Sequence, residues 1–215
     1  MDSMKQILAE AVVMPVFQIS DLNHAAPLAH ALKAGGLSVI ELTMRTPEAV
    51  AALPLMKKAV PSLTIGMGTV TSFDDLNRAL TAKPDFLVTP GCSPSLIEHL
   101  LKQALPFLPG VATPSGAMIA REKGVEAMKF FPAEASGGVD FLKSLYGPLP
   151  DIVFCPTGGI TLETAKNYLA LPNVPCIGGS WIAPAHLIQH EDWDSITENA
   201  SLAAGLAKAR NEAAA

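Results

Sequence analysis

The 215-residue chain has little charge and few rings: 16% of its residues are charged and 6% are aromatic. With 49% hydrophobic residues it is no disordered chain, and its core must be built mostly from Ala, Leu, Val, Ile and Met. There is no run of Lys or Arg, and the formal net charge is -5. Both argue against nucleic acid or an anionic membrane surface as a partner. Any phosphate site must therefore rely on backbone amides and local cations. The three cysteines, Cys92, Cys155 and Cys176, are widely spaced and form no Cys-x-x-Cys or zinc-ribbon pattern. They are expected as buried free thiols in a reducing compartment. No stretch approaches the roughly 18 uninterrupted apolar residues of a membrane span. The start, with Lys5 and Glu10, lacks the basic-then-apolar pattern of a secretory signal. A cytoplasmic protein is the expectation.

What is present is a repeated unit. Apolar runs at residues 12–19, 37–42, 63–68, 85–89, 106–108, 126–131, 152–156 and 174–177 predict strands. Helical segments with recognisable starts follow most of them: Ser20-Asp21, Thr46-Pro47, Ser72, Ser93-Pro94, Thr113-Pro114 and Thr161. A last helix is expected from about residue 192 into the alanine-rich tail. Strands that read as continuous apolar runs, each followed by a helix, imply a parallel sheet covered on both faces. Eight such units, roughly 20 to 25 residues apart, suit an α/β fold of the (β/α)8 TIM-barrel type. A doubly wound sheet is less suitable, because no Gly-x-Gly-x-x-Gly opens the first unit. Nothing divides the chain, so residues 1–215 are expected as a single domain.

The most informative stretch is Glu126-Ala127-Met128-Lys129-Phe130-Phe131-Pro132-Ala133-Glu134. Pro132 ends the strand, and Lys129 stands among apolar neighbours. Burial disfavours the charged amine and gives the free form that attacks carbonyls. The alternative is a lysine on an edge strand, its stem lying along apolar surface.

In a barrel, chemistry gathers at the C-terminal ends of the strands. Those ends carry Glu41 and Arg45, Thr69, Pro90-Gly91, Lys129, Gly158-Gly159 and Gly178-Gly179-Ser180. Glu41, in an otherwise apolar strand, reads either as a proton shuttle or as a partner for Arg45 or Lys129 in a structural ion pair. Arg45 reads as a fork for a substrate carboxylate or as half of a surface ion pair. Glycine pairs after the last two strands fit a phosphate cradle, although glycines also make tight turns. His186 and His190 have metal-ligand spacing but no third ligand at a fitting offset, so they are expected on solvated surface, and no metal is assigned.

Six motifs together resemble the bacterial 2-keto-3-deoxy-6-phosphogluconate (KDPG) aldolases, which also act on 4-hydroxy-2-oxoglutarate (KHG). They are Ile40-Glu41-Leu42-Thr43-Met44-Arg45-Thr46, Gly66-Met67-Gly68-Thr69-Val70, Thr89-Pro90-Gly91, Lys129-Phe130-Phe131-Pro132-Ala133-Glu134, Phe154-Cys155-Pro156-Thr157-Gly158-Gly159-Ile160 and Cys176-Ile177-Gly178-Gly179-Ser180-Trp181. The resemblance spans residues 13–181 in order and spacing. It implies a class I aldolase that needs neither metal nor cofactor, working as a homotrimer in the Entner-Doudoroff pathway on a keto acid phosphate. It implies Lys129 as the imine-forming amine, Glu41 as the acid/base and Arg45 as the ligand of the pyruvyl carboxylate. Thr69, Pro90 and Phe131 would line the pyruvate pocket, and Gly158, Gly159, Gly179 and Ser180 would bind the phosphate.

The sequence departs from the family pattern at Met67, Cys92 and Gly116, and in Phe17-Gln18-Ile19, where some relatives carry an arginine. None of these is the lysine, the carboxylate or a phosphate glycine. Three alternatives stand beside this one: an aldolase for the phosphogalactonate epimer, a phosphate-binding barrel isomerase or decarboxylase, and a non-catalytic sugar-phosphate binder.

Overall fold

The computed structural model describes residues 3–213, with side chains described through residue 206. Helix α1 (Met4–Ala11) opens the chain, before any strand. It was not expected, although its signals are in the sequence. Ser3 and Gln6 form a capping box, and Met4, Ile7, Leu8 and Ala11 fall on one buried face.

Strand and helix then alternate: β1 (Val13–Phe17), α2 (Ala25–Ala34), β2 (Val39–Thr43), α3 (Ala49–Ala59), β3 (Thr64–Gly68), α4 (Phe73–Thr81), β4 (Phe86–Val88) and α5 (Pro94–Leu101). After these come β5 (Phe107–Leu108), β6 (Gly110–Val111), α6 (Pro114–Glu122), β7 (Ala127–Phe130), α7 (Gly138–Tyr146), β8 (Val153–Pro156), α8 (Leu162–Leu169), β9 (Ile177–Gly179), α9 (Ala185–Gln189) and α10 (Trp193–Ala213).

All the strand pairings are parallel, in the orders β5-β4-β3-β2-β1-β9 and β6-β7-β8. The uninterrupted ladder expected from the sequence is thus resolved as two sheets. One break falls at Pro109, which separates β5 from β6 and has no N–H to give to a ladder. Its carbonyl still accepts from the Lys129 N–H at 2.8 Å. At the other break, β8 meets β9 through one parallel bridge, Thr157 with Gly178.

Alternation along the strands sorts side chains into two layers. Ile40, Leu42, Ile65, Met67, Leu87, Met128, Phe130, Phe154 and Ile177 join the large cluster shared with the helices. Met14, Val39, Phe86, Val88, Leu108, Ala127, Cys155 and Cys176 form a second cluster enclosed by the sheets and closed at one end by Met4, Ile7, Leu8 and Ala11 of α1. Lys129 is two residues from Ala127, and Glu41 two from Val39. Both therefore point into the enclosed layer, at the end opposite α1.

Two local expectations are corrected. Thr46 does not cap α3, which begins at Ala49 with Glu48 before it. Its hydroxyl donates instead to the Ile19 carbonyl, tying the segment after β2 to the end of β1. The last strand begins at Ile177 rather than at residue 174, and Val174 is packed in the outer core.

Candidate active site

Glu41 and Lys129 come from strands on different sheets and meet inside the fold. The Lys129 Nζ donates to both carboxylate oxygens of Glu41, at 3.0 and 3.1 Å, with the two side chains 6% and 1% exposed. The edge-strand alternative does not describe this lysine, because β7 is the middle strand of its sheet, paired with β6 and β8. The Phe131 ring, one residue past the strand, has its centroid 5.6 Å from Nζ and covers the amine on one side.

The space for the carboxylate is made by Gly68. A Cβ there would lie 2.1 Å from Glu41 Oε1 and 2.8 Å from its Cδ and Cγ. The β2–β3 register sets Thr43 opposite Gly68 and Glu41 opposite Gly66; Gly68 leaves room for the Glu41 carboxylate, and Gly66 for the Phe86 ring from β4.

Beside the pair is a cavity of about 340 Å³. Arg45, Phe131, Gly158, Gly159 and Ser180, all predicted site residues, line it together with Thr43 and Thr157. Arg45 is exposed there, with no ion-pair partner among the described residues. Gly158 and Gly159 have φ of +105° and +81°, a left-handed turn that side chains with a Cβ resist.

Five predicted residues are not in this lining: Lys129 and Glu41 lie beneath it, behind Phe131 and Thr43, and Thr69, Pro90 and Gly179 lie elsewhere. Thr69 follows Gly68 with φ +66°, Pro90 has its backbone against Gly110, and Gly179 lies against the Trp181 indole. Gln18, Thr43 and Thr157 line the cavity but were not singled out. Thr43 had a signal in the sequence, since it is two residues from Glu41 and must share its face. Gln18 was marked only by its place at a strand end and within Phe17-Gln18-Ile19, where the chain departs from the family pattern.

His186 and His190 are both exposed on or beside α9, and the His190 Nδ1 lies 2.7 Å from the His186 carbonyl of its own helix. Cys92 is half-buried, and burial pushes its thiol up to about 11 while a hydrogen bond with Thr89 opposes the shift. It is therefore a poor nucleophile near neutral pH.

This arrangement can do amine chemistry on a carbonyl. It has a buried amine, a carboxylate able to exchange protons with it, and an adjoining cavity with a free guanidinium and a glycine turn.

Residues 4–199 match the family model for KDPG and KHG aldolases. The chain is 44% identical over 195 residues to the 2-dehydro-3-deoxy-phosphogluconate aldolase of Dickeya dadantii, covering 91% of this chain and 92% of that one. It is 41% identical over 196 residues to the KHG/KDPG aldolase of Escherichia coli K12, with 91% and 92% covered. Among solved structures it resembles the KDPG aldolase of Legionella pneumophila, captured with pyruvate as a covalent carbinolamine, at a TM-score of 0.88 and 42% identity over 91% of this chain and 95% of that one. The corresponding enzyme of Zymomonas mobilis superposes with a TM-score of 0.89 at 42% identity, over 94% and 96%. With a family match across nearly the whole chain and relatives above 40% identity, this protein belongs to the KDPG and KHG aldolase family.

Proposed function

We propose that the protein cleaves 2-keto-3-deoxy-6-phosphogluconate to pyruvate and glyceraldehyde 3-phosphate through an imine on Lys129. The observation that carries this is the Lys129–Glu41 pair, buried beside a cavity with an unpaired arginine at its rim. Burying an ion pair seldom stabilises a fold over well-packed apolar residues, so a pair kept beside a cavity calls for a use.

The Lys129 Nζ attacks C2 of the keto acid, and loss of water leaves a protonated imine that draws electrons from the neighbouring carbon. Glu41 removes the proton of the C4 hydroxyl, directly or through a water. The C3–C4 bond breaks, glyceraldehyde 3-phosphate departs, and its electron pair remains as a pyruvate enamine. Protonation at C3 and hydrolysis of the imine release pyruvate and restore the amine. Arg45 binds the keto acid carboxylate, and Thr69, Pro90 and Phe131 enclose the pyruvyl group. Gly158, Gly159, Gly179 and Ser180 bind the phosphate, so that contacts remote from the bond being broken set the position of C2.

The two sheets would be staves of one (β/α)8 barrel, joined across Pro109 and the Thr157–Gly178 bridge, and residues 1–215 would make one domain. Cleavage of 4-hydroxy-2-oxoglutarate to pyruvate and glyoxylate, the homotrimer, the Entner-Doudoroff role and the cytoplasmic location complete the proposal, supported by family membership.

A lactate dehydrogenase-coupled assay tests the reaction. Pyruvate release from the gluconate substrate should exceed release from the galactonate epimer and should vanish in Lys129→Ala. Equal or faster turnover of the epimer would transfer the assignment to it, and ligand binding without pyruvate release would make the protein a binder.

A further inference from the structure

Behind the Gly158–Gly159 turn is a pair that the reaction does not use. The Tyr168 hydroxyl donates to Glu134 Oε1 at 2.6 Å, and Tyr168 is fully buried. Burial, followed by the hydrogen bond to Glu134 and that carboxylate's charge, holds the phenol above its ordinary 10, so it remains a donor at any working pH.

Glu134 is in turn fitted to the glycine turn. Its backbone N–H donates to the Gly158 carbonyl at 3.1 Å, next to the Ala133 N–H bond to the Thr157 carbonyl at 2.8 Å. A Cβ at Gly159 would meet Glu134 Cγ at 2.7 Å and its Cβ at 2.8 Å. Glu134 does not line the cavity that holds Gly158 and Gly159. It lines a separate hollow of about 390 Å³ with Tyr168, Thr164 and Asn167.

We propose that Tyr168 is a positioning residue for the anionic end of the substrate: its phenol pins the Glu134 carboxylate behind the Gly158–Gly159 turn. The inference rests on the assignment of the phosphate to that turn. Two consequences follow from the pin. The turn keeps its left-handed shape, because the side chain packed beneath it is tied to α8, the helix that begins three residues later. The carboxylate, which would repel a phosphate, is held on the far side of the backbone. Among the described residues neither Tyr168 nor Glu134 is hydrogen-bonded to Lys129 or Glu41, so imine formation is independent of them.

The test separates binding of phosphate from imine formation. Tyr168→Phe should raise KM for the phosphorylated keto acid and weaken inhibition by inorganic phosphate roughly tenfold, the worth of one charge-assisted hydrogen bond. It should leave the pyruvate concentration needed for half-maximal borohydride trapping, which uses no phosphate contact, unchanged. Glu134→Gln, whose amide oxygen still accepts the phenol, should stay close to the wild type. Glu134→Ala, at an exposed residue, should behave like Tyr168→Phe and gives the same test if the tyrosine variant folds poorly. An unchanged KM in Tyr168→Phe or Glu134→Ala overturns the inference, as does a parallel fall of kcat and trapping. A wild type that inorganic phosphate does not inhibit would instead sink the phosphate assignment itself.

Discussion

Lys129 and Glu41 depend on a residue with no side chain. Gly68 was legible in the sequence only as part of a family motif, because its task is visible only once β3 lies beside β2. The lysine was easier to find, since an amine in an apolar run before a proline is unusual wherever it occurs. Its partner was harder, for 88 residues separate the two and only the packing of the two sheets closes that distance. Gly68→Ala should push the carboxylate out of its 3.0 Å contact, because the new Cβ would overlap Oε1. Misplacing a catalytic group by about 1 Å costs roughly 100-fold, and kcat is expected to fall by that order. Kinetics of the purified variant check this, and a kcat within twofold of the wild type would contradict the placement.

At the scale of elements, the segment joining β3 to α4 shows how a helix start holds the chain beside Thr69, the residue proposed for the pyruvate pocket. Asp75 accepts from the Thr71 N–H at 3.1 Å and from its hydroxyl at 2.6 Å, while Ser72 caps the helix by accepting from the Asp75 N–H at 3.0 Å. This fixes the chain just after Thr69, whose φ of +66° needs such support. The hydroxyl bond from Thr71 is the largest cause holding the Asp75 carboxyl below its ordinary 3.8. A carboxyl lowered on folding contributes stability that is present above 3.8 and is lost as pH falls through the folded value. Asp75→Asn should therefore lower stability by about 1 kcal/mol at neutral pH. The gap to the wild type should close as pH falls below 3.8, as urea melts at several pH values would show. A gap that does not change with pH would contradict it.

The caps at Ser72, Ser93, Thr113 and Thr161 were legible because each needs only its own neighbours. Thr46 was misread for the opposite reason. Its hydroxyl is claimed by a carbonyl 27 residues away, which no local pattern records.

For the molecule as a whole, apolar runs alternating with helical segments were enough to predict a parallel sheet with helices around it. The break at Pro109 could have been suspected, since a proline cannot donate to the ladder; the single bridge between β8 and β9 could not. The enclosed layer is divided along its length, with α1 and apolar side chains at one end and the ion pair at the other. Stability and chemistry are thus separated in space. Leu8 of α1 is fully buried at the closed end. Leu8→Ala should cost roughly 2–5 kcal/mol and lower Tm by about 5–15 °C, with kcat at 25 °C unchanged. Calorimetry and the coupled assay together check the division, and a large loss of kcat in a folded Leu8→Ala enzyme would contradict it.

The central claim is that the ε-nitrogen of Lys129 bonds covalently to the substrate's carbonyl carbon. Incubation with pyruvate and sodium borohydride, followed by peptide mass spectrometry, tests it most directly. One reduced pyruvyl adduct per chain on Lys129, absent from Lys129→Ala, is the expected result. An unmodified protein, or an adduct on another lysine, would contradict the account.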